Sequence, residues 1–285
     1  MLNSKISLKA YAKINITLDC VGKRPDGYHL LRSIMHPISL FDTVTIERTL
    51  NNGILVDCTS VECKQNIVLK TANVFFDFCD ITEKNRNINI SIEKNIPLAA
   101  GLGGGSTDAA ATILILNSMF ETHLTSDKLI NIAEKVGADV PFCLFNKTAV
   151  VEGIGEKLSF FDSFPSFFFI LVKPFEKGST AQMYKKLDEF GISGKDYTDK
   201  VLSSLQVGDT IKMCENFGNE FSCFWENEKT LYIKDCAKYY GALNTSLTGS
   251  GPTFFSVFNN ETNANKYLNK ISQTFSDVYL AKSVN

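Results

Sequence analysis

"IPLAAGLGGGST", residues 96–107, sets four glycines around one leucine and follows them with a Ser–Thr pair. Glycine loses more conformational freedom on folding than any other residue, so this density implies a backbone whose approach side chains would obstruct. Upstream, "NINISIEKNI" (87–96) alternates apolar and polar residues like a strand. Downstream, "STDAAATILILNSMF" (106–120) lacks Gly and Pro and is rich in helix formers; Ser106 or Thr107 is the expected N-cap, with Asp108 in the first turn. Strand, glycine loop and helix in that order bring main-chain N–H groups to the positive end of a helix dipole, which holds phosphate. Two common phosphate loops fail by spelling: Gly105 precedes Ser106 with no lysine between, and the sixth position from Gly101 is Ser106 rather than glycine. The bland reading, a tight turn under a packed helix, needs fewer glycines than this.

Working outward, "ISLKAYAKINITLDCVG" (6–22) and "LLRSIMHPISLFDTVTIER" (30–48) read as strands joined through the turn "RPDGYH". Residues 66–80 have helical spacing. "SDKLINIAEKV" (126–136) is a helix from a Ser cap to Gly137, and "ADVPFCLF" (138–145) is expected to be extended, because Pro141 biases Val140 away from helix. After the strand-like 148–160, "FFDSFPS" is the expected domain boundary. Beyond it come a strand (166–173), a helix (179–190), a polar loop, two helices (208–226 and 228–240), strands at 243–247 and 253–258, a helix (261–274) and a strand (277–282). The expectation is an α+β chain with domains at 1–161 and 162–285.

At 285 residues and 44% apolar content the chain fills a substantial core. A net charge of −2 without a long basic run gives no footprint for nucleic acid or an anionic membrane, so any anion must be held by a local site. The eight cysteines show no C-x-x-C spacing and are expected to be reduced, as in a cytoplasmic protein. The N-terminus lacks the layout of a signal peptide, and the most apolar run, "SFFFILV" (166–172), is far shorter than the ~20 residues of a membrane helix.

"PLAAGLGGGSTDAA", "AYAKINITL" near the start and "LTGSGPTFF" near the end together resemble the three signatures of the galactokinase, homoserine kinase, mevalonate kinase and phosphomevalonate kinase superfamily. Further stretches, "AKINITLDCVGKRPDGYHLL", "LFDTVTI", "VGADVPFCL" and "VEGIGEKL", resemble the branch whose acceptor is cytidine diphosphate-methylerythritol, on the non-mevalonate isoprenoid route. The resemblance spans nearly the whole chain and weakens between about 175 and 240. It implies an N-terminal domain like ribosomal protein S5 domain 2 and a ferredoxin-like C-terminal domain. It also implies ATP as co-substrate, Mg²⁺ arriving with it, no nucleic-acid or membrane partner, and a monomer or homodimer.

The donor side implied by the resemblance is Pro97, Leu98, Ala99, Ala100, Gly101, Leu102, Gly103, Gly104, Gly105, Ser106 and Thr107, with Asn66 toward adenosine. Asn66 reads equally as an ordinary N-cap. Asp139 is implied as the base that takes the hydroxyl proton, and Lys13 as the charge that stabilises the attacking oxygen; from the residues alone, an Asp after a helix is more often a solvated turn. Lys13 and Asn15 share one face of their strand, opposite Ala12 and Ile14, which leaves a polar pair aimed together. Tyr28 is implied to stack on cytosine, with His29 on its polar edge, Tyr184 on the other face and Thr180 nearby; otherwise Tyr28 and His29 simply start a strand. Gly249 and Gly251 either fold the chain back against the site or turn between two strands. The rival readings are a homoserine or mevalonate type of kinase and a non-catalytic sensor that binds ATP without turnover.

Overall fold

The computed structural model describes residues 5–50, 53–59, 67–176 and 179–284. The chain packs as two compact units, each assembled from separated segments: Met1–Ala12, Leu40–Ile96 and Gly103–Asn146 in the first, Lys13–Ser39, Pro97–Leu102 and Lys147–Asn285 in the second. Strands β1 (Lys5–Lys23) and β2 (His29–Arg48) contribute residues to both.

In the first unit, β3 (Ile54–Cys58), α1 (Ile67–Phe78) and β4 (Ile88–Glu93) form a parallel crossover, with β3 paired to β4 from Ile54↔Ile88 to Cys58↔Ile92. β4 also runs antiparallel to β2, from Thr43↔Glu93 to Arg48↔Ile88. Ile88, Ile90 and Ile92 are buried while Ser91 and Glu93 are exposed, so the alternation in the sequence is the alternation of the two sheet faces. α1 buries Val68, Thr71, Ala72, Phe75 and Phe76, one helical stripe, and each Phe contributes roughly 1.5–3 kcal/mol by leaving water.

α2 (Gly104–Met119) is buried on every side from Thr107 through Ile113, and Ala109, Ala110 and Ala111 let it lie centrally among its neighbours. Its N-cap is Gly103, in the left-handed region (φ 72°), and not the expected Ser106 or Thr107, both of which lie within the helix. Thr107 does not cap: its hydroxyl donates to the Tyr11 carbonyl at 2.7 Å. α3 (Ser126–Val136) follows, with Thr125 rather than Ser126 at its N-cap, and ends before Gly137 as expected. α4 (Val140–Cys143) corrects the extended reading of 138–145: Pro141 lies in the first turn, where its missing N–H has no helical partner to lose and its fixed φ suits a helix.

In the second unit, β5 (Ala149–Gly153) pairs with β2 from Leu31↔Gly153 to Met35↔Ala149 and carries β6 (Lys157–Phe160) on its other side. β7 (Phe168–Val172) starts a four-stranded antiparallel sheet, and α5 (Thr180–Phe190) follows behind a Ser179/Gln182 capping box. α6 (Tyr197–Gln206) stands where the sequence reads as a polar loop. Its first N–H groups, on Tyr197 and Thr198, donate to the two oxygens of Asp19 at 2.8 Å each, a cap supplied by β1 rather than by local sequence.

The expected helix at 208–226 is divided into α7 (Thr210–Glu215), β8 (Gly218–Asn219) and a 3₁₀ segment (Glu220–Trp225). Helix gives way because β8 pairs with Thr17 and Leu18 of β1, and because the Tyr197 ring occupies the space beside Gly218. α8 (Glu228–Tyr239), β9 (Asn244–Leu247), β10 (Phe254–Phe258), α9 (Glu261–Ile271) and β11 (Val278–Lys282) complete the unit, with sheet order β11-β7-β10-β9. All described cysteines are free thiols. No helix among the described residues is long and apolar enough to cross a membrane.

His36 is fully buried in the second unit, with Nδ1 2.7 Å from Thr148 Oγ1 and Nε2 2.8 Å from Ser283 Oγ. Burial pushes its pKa from 6.5 down to about 3. The unfolded chain therefore takes up this proton first, so the stability His36 contributes is complete above pH 6.5 and is lost as pH falls toward 3. Between pH 6.5 and pH 5 the loss is about 2 kcal/mol. Urea unfolding across that range is expected to show a steeper pH dependence in the native chain than in His36→Gln; parallel curves would contradict the assignment.

Candidate active site

The glycine stretch twists repeatedly into the left-handed region, with positive φ at Ala99 (50°), Gly101 (76°) and Gly103 (72°). In the first unit, Gly103 opens α2 and, being glycine, has no side chain with which to cap the N–H groups that follow it, which stand at the positive end of a long helix. A side chain at Gly104 would sit 3.1 Å from Ile96 Cγ2 and 3.4 Å from Lys94 Nζ, whereas one at Gly105 would meet only Ile67 at 3.6 Å.

Beneath this helix start lies a cluster that the sequence reading missed. The Lys94 ammonium is buried between Asp42 Oδ2 and Asp108 Oδ2, the latter at 2.7 Å. Asp42 Oδ1 accepts from the main-chain N–H groups of Asn95 at 2.6 Å and Ile96 at 2.8 Å. Burial pushes the Asp108 carboxyl up to about 7, against the pull of Lys94 and helped by Asp42. Burial works to lower Lys94 too, but its two carboxylate partners outweigh that and raise it.

In the second unit, three sequence motifs meet in one hydrogen-bond network. Lys13 Nζ donates to Asn15 Oδ1 at 2.7 Å, which confirms that the two side chains share a face, and both are buried. The same Oδ1 accepts from Gly249 N at 3.1 Å, while Asn15 Nδ2 donates to Ser33 Oγ at 2.8 Å and Asn15 N to Thr248 Oγ1 at 2.9 Å. Two obligate donors on Oδ1 fix the orientation of the amide. Lys13 N donates to Leu102 O at 3.0 Å, tying β1 to the glycine stretch.

The stretch in turn touches 248–251 backbone to backbone. A Cβ on Gly101 would lie 2.7 Å from the Thr248 carbonyl oxygen, and one on Gly249 would lie 3.1 Å from that of Gly101. Gly251 sits under the Trp225 indole, whose Nε1 donates to Ser250 O at 3.1 Å. Thr180 joins here, accepting from Ser250 Oγ at 3.3 Å.

The "RPDGYH" turn leaves Tyr28 63% exposed. His29 turns inward, its ring stacked on Tyr184 (centroids 4.8 Å, 26°) and its Nε2 2.8 Å from Asp188 Oδ1. Asp188 also pairs with Lys23 at 2.7 Å, and the hydrogen bonds from Lys23 and His29 hold its carboxyl below the usual range. Tyr184 rests edge-on against buried Phe221. Neither Asp188 nor Lys23 stood out in sequence.

Asp139, half-buried in the first unit, is the N-cap residue of α4 and so stands at the start of a helix rather than in the expected extended run. Pro97 and Leu98 are half-buried, Ala99 is exposed, Ala100 and Leu102 are buried, and Ser106 is half-buried. Asn66 lies outside the described residues. A cavity of about 530 Å³ in the second unit, bordered by Phe190, Lys195, Glu220 and Cys223, contains none of the expected site residues.

The sequence matches two family models, "GHMP kinases N terminal domain" over residues 66–147 and "GHMP kinases C terminal" over 210–277. The chain belongs to the GHMP kinase family. It is 38% identical over 284 residues to a 4-diphosphocytidyl-2-C-methyl-D-erythritol kinase of Clostridium botulinum (strain Alaska E43 / Type E3), covering 98% of this chain and all of that relative. Among solved structures, a 4-(cytidine 5'-diphospho)-2C-methyl-D-erythritol kinase superposes with a TM-score of 0.79 at 24% identity, covering 98% of this chain and 100% of that one. A homoserine kinase from Cytophaga hutchinsonii superposes nearly as well, at 0.76 and 17% identity, covering 98% and 94%. The fold is thus the GHMP kinase fold, and fold alone does not separate the acceptors.

Because the Gly101 site combines a left-handed backbone with a carbonyl oxygen in the way, Gly101→Ala is expected to cost at least about 2 kcal/mol in urea unfolding. Gly105→Ala, which has room and gains helix propensity, should leave stability unchanged or raise it by up to about 1 kcal/mol. Equal stabilities for the two variants would contradict the close approach of the two loops.

Proposed function

We propose that the chain transfers the γ-phosphoryl group of ATP to the 2-hydroxyl of 4-diphosphocytidyl-2-C-methyl-D-erythritol, a step of the non-mevalonate isoprenoid route. The observation that carries this reading is identity of 35–38% over essentially the whole chain with relatives that bear that kinase's name. Phosphoryl transfer asks mainly for positioning and charge stabilisation, with one group to take the hydroxyl proton. In this reading Asp139 accepts that proton, the freed oxygen bonds to the γ-phosphorus, and the bond to the β–γ bridging oxygen breaks to release ADP. Lys13, oriented by Asn15, stabilises the negative charge on the attacking oxygen.

The donor phosphates lie on residues 97–107, whose spelling and left-handed backbone suit an anion; Asn66 serves the adenosine side. The loop has no lysine of its own, so backbone N–H groups and the helix dipole supply its attraction. Mg²⁺ carried in with ATP would neutralise phosphate charge. Tyr28 and Tyr184 take the faces of the cytosine, and His29, oriented by Asp188, takes its polar edge, with Thr180 nearby. The same reading places the domain division at 161/162 and the enzyme in the cytoplasm.

Asp139→Asn is expected to keep ATP affinity while kcat falls by about 10²–10⁴; near-native turnover would remove Asp139 from the role of base. Tyr28→Ala should raise KM for the cytidine substrate by about tenfold through lost stacking and leave KM for ATP unchanged. If both KM values were unmoved, Tyr28 would have no part in holding the base.

A further inference from the structure

We propose that Lys94 is a positioning residue for phosphate binding: its buried ammonium, held between Asp42 and Asp108, locks the end of β4 to the start of α2 and so aims the main-chain N–H groups of Gly104, Gly105 and Ser106. This rests on the reading that ATP phosphates sit on that helix start.

The cluster is poorly explained as a source of stability. Each buried ion costs several kcal/mol to remove from water, and well-packed apolar residues of similar size often hold a fold better. The rest of α2 shows this alternative at work, fixed by Ala109, Ala110, Ile113 and Leu116 without charge. One carboxyl oxygen, Oδ1 of Asp108, is buried with no hydrogen-bond partner among the described residues, an arrangement that selection for stability alone would disfavour.

Direction is what the cluster provides. Asp42 grips the chain where it leaves β4, through Asn95 N and Ile96 N, and holds Lys94 with its other oxygen. Lys94 then reaches the second turn of α2 at Asp108, 2.7 Å away. Gly104 has no side chain and lies over Lys94 and Ile96, so a Cβ there would press on both, and helix start and strand end meet closely at this point. With the ammonium and two carboxyl groups in fixed hydrogen-bond geometry, rotation or sliding of α2 against β4 would leave a buried polar group without its partner. Apolar packing imposes no such penalty for a small shift, and a misplacement of about 1 Å in a positioning element can cost about 10²-fold in rate.

The test is Lys94→Met in the full chain, read by ATP titration calorimetry, by KM for ATP and for the cytidine substrate separately, and by the urea midpoint. The expected result is a rise of about tenfold or more in Kd and KM for ATP, with KM for the cytidine substrate within about twofold of native. A role confined to stability would lower the midpoint and leave ATP affinity of the folded protein intact. Should Lys94→Met fail to fold, Asp42→Asn/Lys94→Met/Asp108→Asn leaves no unpaired ion and is expected to show the same selective loss. A folded variant of either kind that binds ATP within about twofold of native overturns the proposal. Native protein that itself fails to bind ATP overturns the reading of the loop and the clamp together, whereas native binding with an unaffected variant overturns the clamp alone.

Discussion

The arrangement in the second unit depends on the bare α-carbon of Gly101. Because nothing projects from it, the Thr248 carbonyl comes close enough to forbid a side chain, and Gly249 returns the same accommodation from the opposite strand end. Through that contact Thr248 and Gly249 reach the main chain and amide of Asn15, and Asn15 aims Lys13. One missing methyl therefore propagates to the orientation of a buried ammonium.

The four glycines of 101–105 divide the work rather than repeating it. Gly101 permits backbone contact with 248–251, Gly103 takes the left-handed turn that opens α2, and Gly104 clears room for Lys94 and Ile96. Gly105 is exposed, and among the described residues a Cβ there would make only ordinary contact with Ile67, which suits a position where a ligand rather than protein comes close. The loop has no lysine of its own, and under the proposed reading the buried Lys94 acts from below, through geometry, while the helix dipole and N–H groups supply the attraction.

Much of this was legible in the sequence where the information is local. Alternation gave β4, helical spacing gave α1, the stop at Gly137 marked the end of α3, and the glycine loop between strand and helix stood out by composition and order. Same-face placement of Lys13 and Asn15 followed from strand periodicity alone. What escaped was non-local. α6 reads as loop because its cap, Asp19, lies 178 residues away on β1. The partners of Lys94 are 14 and 52 residues distant, so nothing near it marks it as more than a solvated strand end. α4 was misjudged for a different reason: proline argues against helix everywhere except the first turn, and sequence does not say which turn is first. The acceptor is the least legible feature from fold, since a homoserine kinase superposes almost as closely as a cytidine-substrate kinase.

Acceptor choice is therefore the central claim, and ADP release measured in parallel with 4-diphosphocytidyl-2-C-methyl-D-erythritol, mevalonate and homoserine tests it most directly. ATP-dependent turnover is expected with the cytidine substrate and none above background with the other two. Turnover with mevalonate or homoserine in place of the cytidine substrate would contradict it.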